Sequence, residues 1–369
     1  MTTLHKVPAE TALNDNVSRK HSHQLSFRRL LNPTFFVGLA VVAMFAVYVL
    51  LGSYTVTIPD FFTIVFNHLT GGEKIPGASF IVMEHKLPRA AIGTLIGIAF
   101  GLAGGLFQTM LRNPLASPDI IGISYGASAA AVTAIVIFGA SGAVVSWAAL
   151  GGALGVAAII YSISRGTGTG GGGNRGNAAG SRLILAGVGI AAALHAVVNF
   201  LMTRADIRTA ADALVWLNGS LNSANWERAA VLAASLLLLI PAVIALAGPL
   251  RILELGDDAA AGLGIKVNAV RLGLVLTAVG LAAVATAAAG PVAFVAFLAG
   301  PIARRIVRKP SLPASALTGA LIVLAADFLA SNIAPVILDG TVLPVGVITG
   351  ALGAPFLLWL LITSNRKEA

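Results

Sequence analysis

"LRNPLASPDIIG", residues 111–122, packs Arg112, Asn113, Pro114, Ser117, Pro118 and Asp119 into twelve positions between two long apolar runs. Helix-stopping and turn-forming residues flanked by uncharged stretches mark where a chain leaves one membrane crossing and starts the next. Arg112 labels that end as cytoplasmic, because basic residues near span ends resist translocation. Asn113 and Pro114 stop the preceding helix, and Ser117, Pro118 and Asp119 are expected to supply a turn and N-cap for the next.

Working outward, the chain has 57% hydrophobic and only 11% charged residues, against roughly 25% charged in a soluble domain. Residues 34–54, 120–161, 229–250, 272–303 and 342–364 carry no charge, and about 20 apolar residues suffice to cross the hydrocarbon layer. Breaking the apolar stretches at Gly, Pro and charge clusters predicts ten spans, at 34–54, 90–111, 119–139, 144–164, 183–203, 229–249, 270–289, 291–307, 312–334 and 343–363. The eighth is the weakest, being short and holding Pro291 and Pro301. The expectation is an all-α polytopic membrane protein with a basic cytoplasmic tail over 1–33, a transmembrane domain over 34–364 and a short cytoplasmic tail over 365–369. The first span reads as uncleaved, since no small-x-small pattern follows it.

With the N-terminus inside, 18 of the 24 Lys and Arg fall on cytoplasmic segments; the other six are Lys74, Lys86, Arg89, Arg204, Arg208 and Arg228. That asymmetry predicts both termini in the cytoplasm. The net charge of +9 is then mainly a topology signal, and the partner it implies is a lipid bilayer, with no nucleic acid.

Gly93, Gly97, Gly101 and Gly105 recur every four residues in the second span, a bare face that lets two backbones approach closely where lipid gives helices no hydrophobic reason to associate. Gly122 with Gly126, Gly151 with Gly155, and Gly346 with Gly350 repeat the device. In "TIPDFFTIVFNHL", Phe61, Phe62, Val65, Phe66 and Leu69 recur at helical spacing, which predicts an amphipathic helix at the membrane surface.

Catalytic classes find little support. The chain has no Cys, which excludes disulfides and thiolate chemistry. The run "RGTGTGGGGNRGN" from Arg165 contains no Gly-Lys-Ser or Gly-Lys-Thr, so the phosphate-loop pattern fails and residues 166–180 read as a spacer. Of six His only His195 lies inside a span, and no metal site, resident cofactor or enzymatic activity is expected. Asp327 is the one acid in the interior of a span; a carboxylate at that depth is expensive enough to need a cavity or a partner. Asn199 joins it as a polar intramembrane candidate. In residues 250–272, Glu254, Asp257 and Asp258 precede a short Ala-rich helix ended by Gly262 and Gly264. Its small apolar surface on a cytoplasmic loop calls for a covering partner.

"KLPRA", "QTMLRNPLASPDIIGISYGA", "RLILAG", "WLNGSL", "LELGDDAAAGLGI", "AGPVAFVAFLAGPIARR", "LPASALTGALIVLAAD" and "LPVGVITGALGAPFLLWLL" follow one another between residues 86 and 361. Together they resemble the FecCD permease family, the membrane subunits of bacterial ABC importers for ferric siderophores, haem and cobalamin. The resemblance implies a ten-helix fold like that of the vitamin B12 importer permease, in the cytoplasmic membrane. It also implies a second permease subunit, identical or a sister, two copies of a cytosolic ABC ATPase and an extracytoplasmic substrate-binding protein. Residues 250–272 would be the coupling segment, with Ala260, Leu263 and Gly264 docking on the ATPase and Glu254, Asp257 and Asp258 orienting or contacting it. Lys86 and Arg89 match basic positions that meet acidic residues of the binding protein.

An iron(III)-siderophore is the expected cargo, with haem and cobalamin as alternatives. An ion-gradient-driven secondary transporter is the reading from another class. Two departures from the family pattern stand out. "AFVAFLAGP" from Ala293 lacks a His common in relatives, and Ser331 stands where relatives often place Arg, which leaves Asp327 without that local counter-charge.

Overall fold

The fold follows from one glycine-faced helix and what packs on it. The computed structural model describes residues 33–52, 54–73, 75–165 and 175–365. The N-terminal tail, residues 166–174 of the glycine-rich spacer and residues 366–369 lie outside the described residues. Thirteen helices are described, without a strand among those residues. In chain order they are α1 (Pro33–Leu50), α2 (Ile58–Thr70), α3 (Ala78–Met110), α4 (Ile123–Val136), α5 (Ala143–Arg165), α6 (Arg175–Arg204) and α7 (Ile207–Leu217), then α8 (Trp226–Leu253), α9 (Asp257–Gly262), α10 (Val267–Ala289), α11 (Val295–Val307), α12 (Leu312–Ile337) and α13 (Val345–Asn365).

Each of the ten predicted apolar segments is helical, and among the described residues seven helices, α1, α3, α5, α6, α8, α10 and α12, are long and apolar enough to cross a membrane by length and composition. Helix length by itself does not establish the count of ten crossings. The helix α4 has 14 residues and α11 only 13, about 20 Å of rise each at 1.5 Å per residue. Left-handed backbone at Phe294 (φ 64°) and Arg308 (φ 59°) closes α11 at both ends.

Helix α3 is the central pillar, with Ile92, Ile96, Phe100, Leu106 and Phe107 fully buried. Its bare face meets two partners at backbone contact. A Cβ on Gly97 would lie 2.4 Å from Ala320 Cα, one on Gly101 2.3 Å from Ser315 O of α12, and one on Gly104 1.8 Å from Ala296 O of α11. Gly93 and Gly105 have somewhat more room, 3.2 Å from side chains. Such approach maximises van der Waals contact, the main attraction between helices in lipid. The helix α4 packs on α5 in the same way, but through Gly126 and Gly152. The spacing of Gly151 and Gly155 is incidental, for both face open space, as does Gly350.

The breaks between helices gather at two ends. At one end "WLNGSL", "AGPVAF" and "LPVGVITG" meet backbone to backbone: Ser220 N–H donates to Ala289 O at 2.7 Å and Gly346 N–H to Gly219 O at 3.3 Å. Gly290 (φ 77°) has the carbonyl of Trp216 2.3 Å from where a Cβ would stand, so only glycine fits there. Trp226 Nε1 donates to Met83 O at this same end. The residue 111–122 turn and residues 250–272 lie at the other.

Pro301 inside α11 has no N–H for the carbonyl of Phe297 four residues back. Gln108, 3% exposed, donates its Nε2 to that carbonyl at 3.0 Å. The defect in one helix is thus mended by a side chain of α3.

The amphipathic helix α2 turns Phe61 and Val65 to the neighbouring helices and buries Ile64, while Phe62, Phe66 and Leu69 stay exposed.

Candidate coupling face and buried ion pair

The residue 111–122 turn ends α3 with a Schellman closure: Asn113 N–H donates to Gln108 O (3.1 Å) and Arg112 N–H to Thr109 O (3.2 Å). The closure needs a left-handed residue, usually Gly, and here it is Arg112 at φ 51°. A side chain in that conformation costs on the order of 1–2 kcal/mol. Asn113 Oδ1 then accepts from Leu115 N–H, shaping the next turn. The expected cap on the following helix is different in detail. Ser117 makes no side-chain cap, and α4 starts instead after left-handed Gly122. Asp119 reaches forward to accept from the Ser124 hydroxyl.

Residues 250–272 fold as the end of α8, the short α9 and the start of α10. Asp257 accepts a forked bond from Arg271 Nη2, 3.0 Å to each oxygen, and pairs with Arg112 at 3.6 Å. The two polar breaks predicted separately are therefore tied to each other. Asp258, Leu263 and Gly264 are exposed and Glu254, at the end of α8, is half-buried. Ala260, expected on a docking surface, is fully buried against the chain's own core. One turn of helix packed on a bundle must turn some of its small residues inward. The exposed apolar surface is made by Leu255 (68% exposed), Leu263 (63%), Ala259 and Ala261. Leu255 and Arg271 were not singled out by sequence reasoning; both lie inside the 250–272 segment, but only the fold assigns their faces.

At the other end of α3, Arg89 forms a forked ion pair with Asp327 of α12, Nε to Oδ2 at 2.7 Å and Nη2 to Oδ1 at 2.9 Å. Tyr48 of α1 donates its hydroxyl to the same carboxylate. Asp327 is fully buried and Tyr48 4% exposed. The counter-charge missing at Ser331 is supplied from another helix, and Ser331 instead donates to the carbonyl of Asp327. Lys86 donates its ammonium to the carbonyls of Val49, Leu51 and Tyr54. Both cations therefore already serve bonds inside the chain. Tyr48 was missed in the sequence; the signal available was a lone acid at membrane depth, which demands donors.

Asn199 and His195 are exposed on α6, His195 with its ring 5.6 Å from that of Tyr125. Among the described residues no group of three or more His, Asp or Glu is placed to hold a metal ion.

Comparisons place this architecture. The model of the FecCD transport family matches residues 39–363. The ferric enterobactin transport system permease protein FepG of Escherichia coli is 37% identical over 299 residues, 80% of this chain and 87% of that protein. The achromobactin transport system permease protein CbrC of Dickeya dadantii is 39% identical, covering 78% of this chain and 80% of the relative. The Fe(3+)-citrate import system permease protein YfmE of Bacillus subtilis is 36% identical, covering 78% and 84%. A solved metal-chelate type ABC transporter in an inward-facing conformation superposes with a TM-score of 0.75 at 24% identity, over 89% of this chain and 98% of that one, which shows the shared fold. A glycine-faced pillar, two gathered ends and sequence similarity along nearly the whole chain make one conclusion: this multi-pass membrane protein belongs to the FecCD transport family.

Proposed function

We propose that the chain is the membrane-spanning subunit of an ABC importer that carries an iron(III)-siderophore chelate into a bacterial cell. The observation that carries this reading is its similarity, over about four fifths of its length, to permeases named for ferric enterobactin, ferric citrate and achromobactin. The chain has no phosphate-loop pattern, so ATP hydrolysis belongs to separate cytosolic subunits, two per transporter. A second permease subunit completes the pathway, and a binding protein delivers the chelate.

The exposed coupling end supports the placement of the ATPases. Leu255, Ala259, Ala261 and Leu263 are apolar and solvent-facing beside exposed Asp258, a surface that gains by being covered. The distribution of Lys and Arg puts that end, and both termini, in the cytoplasm. The binding protein would then approach the end bearing Lys86 and Arg89, although both side chains already serve internal bonds.

Reconstitution with the ATPase and binding protein tests the reading, with ferric enterobactin and ferric citrate as probes. ATP-dependent uptake of either is the expected result. Uptake that proceeds without the ATPase, or transport of haem or cobalamin alone, overturns it. Since the chain has no native Cys, single cysteines at Asp258 and Glu73 should label from opposite sides of the membrane, position 258 from the cytoplasm.

A further inference from the structure

Asp257 sits in the coupling segment but points back into the protein. Its carboxylate is held by Arg271 at the start of α10 and by Arg112 at the end of α3. Arg112 keeps a left-handed backbone where glycine would be free of strain, and strained residues of this kind persist where the side chain is needed. The strained turn is itself rigid: its amides close on Thr109 and Gln108, and the side chain of Gln108 is bonded to the carbonyls of Ala296 and Phe297 in α11. A continuous line of bonds therefore runs from α9 through Asp257 and Arg112 into α3 and α11.

We infer that Asp257 and Arg112 form a latch that transmits movement of the coupling segment to the central helix α3. They are positioning residues and make no contact with ATPase or cargo. This rests on the permease reading given above. In that reading the ATPases move α9, and an exposed loop tied only by its backbone would bend under them and pass little to the bundle. The ion pair joins two loops that are far apart in sequence, so a push on one displaces the end of α3, whose glycine face is in backbone contact with α11 and α12.

The test uses the assembled transporter, with uptake of ferric enterobactin and ATP hydrolysis measured together for Arg112→Gly, Asp257→Asn, their double variant and Arg112→Lys. Glycine relieves the strained backbone, so Arg112→Gly should keep or raise thermal stability, yet lower the chelate transported per ATP by at least about fivefold, the lower end of ordinary coupling between sites. Asp257→Asn should lower transport per ATP likewise while still co-purifying with the ATPase. The double variant should be no worse than either single change, and Arg112→Lys should retain most coupling. Wild-type transport per ATP in Arg112→Gly overturns the latch. So does loss of the ATPase from Asp257→Asn, which would make Asp257 a partner-facing acid. If Arg112→Gly does not insert, Asp257→Asn decides by the same two readings. Failure of the permease reading shows separately, as a wild-type chain that transports no chelate with its ATPase present.

Discussion

Replacing Asp327 with Ala should destabilise the protein more than any single surface change, because it strands a cation. The guanidinium of Arg89 loses both bonds of its fork, and Tyr48 loses the acceptor of its hydroxyl. Breaking a buried pair by removing one partner costs about 3–5 kcal/mol. The Arg89 side chain keeps 19% of its exposure, which lets some water reach the orphaned charge, so the lower end, about 3 kcal/mol, is expected. That is on the order of a hundredfold in the folding equilibrium. Reversible unfolding in mixed micelles, followed by circular dichroism, measures it. The decisive comparison is a double-mutant cycle. Arg89→Met alone should also be costly, since it leaves the Asp327 carboxyl buried without its forked donor. Arg89→Met with Asp327→Leu should recover much of what Arg89→Met and Asp327→Leu each cost alone, because an apolar pair of similar volume needs no partner. An Asp327→Ala variant within about 0.5 kcal/mol of wild type, a typical surface effect, would refute the reasoning, and so would strictly additive effects in the cycle.

Two further expectations follow from backbone geometry and from a helix cap. Gly104→Ala places a methyl group 1.8 Å from the carbonyl of Ala296 and should cost about 1–3 kcal/mol as overpacking, whereas Gly151→Ala enters open space and should be neutral or mildly stabilising; thermal midpoints in detergent separate them. Asp206 caps α7, accepting from the Thr209 hydroxyl and from the amides of Arg208 and Thr209, and these bonds, led by the hydroxyl, hold its carboxyl below the usual range. Because the folded value is depressed, the cap's contribution is full above the ordinary carboxylate range and fades as pH falls through the lower folded value. The gap in thermal midpoint between wild type and Asp206→Ala should therefore close at acid pH, and a gap that is constant with pH counts against the cap.

Most of the helices and their ends could be read directly. Charge-free windows, Pro and Gly punctuation and the four-residue glycine period act between neighbours along the chain, so residues such as Gly97 and Gly101 announce a close-packed face before any partner is known. What such patterns cannot carry is the identity of the partner. Gly151 and Gly155 have the same spacing as the packing glycines, yet the glycine at the contact is Gly152, because the roll of α5 is set by α4 and not by its own sequence. Helix α11 shows a related limit. Its segment reads as the weakest of the spans, and left-handed Phe294 and Arg308 hold it to 13 residues.

By itself the sequence determined that this chain lives in a bilayer, roughly where most of its helices run, and that a lone acid at depth, Asp327, must be answered by something. Tertiary structure alone decided what answers it: Arg89, 238 residues away, with Tyr48 at its side. It likewise decided that Asp257 and Ala260 turn inward from the coupling segment while Leu255 and Leu263 stay outside. The physical reason is the same in each case. Helix formation is local and repeats every few residues, whereas the neutralisation of a charge and the choice of a buried face depend on which distant segment the fold brings within a few ångströms.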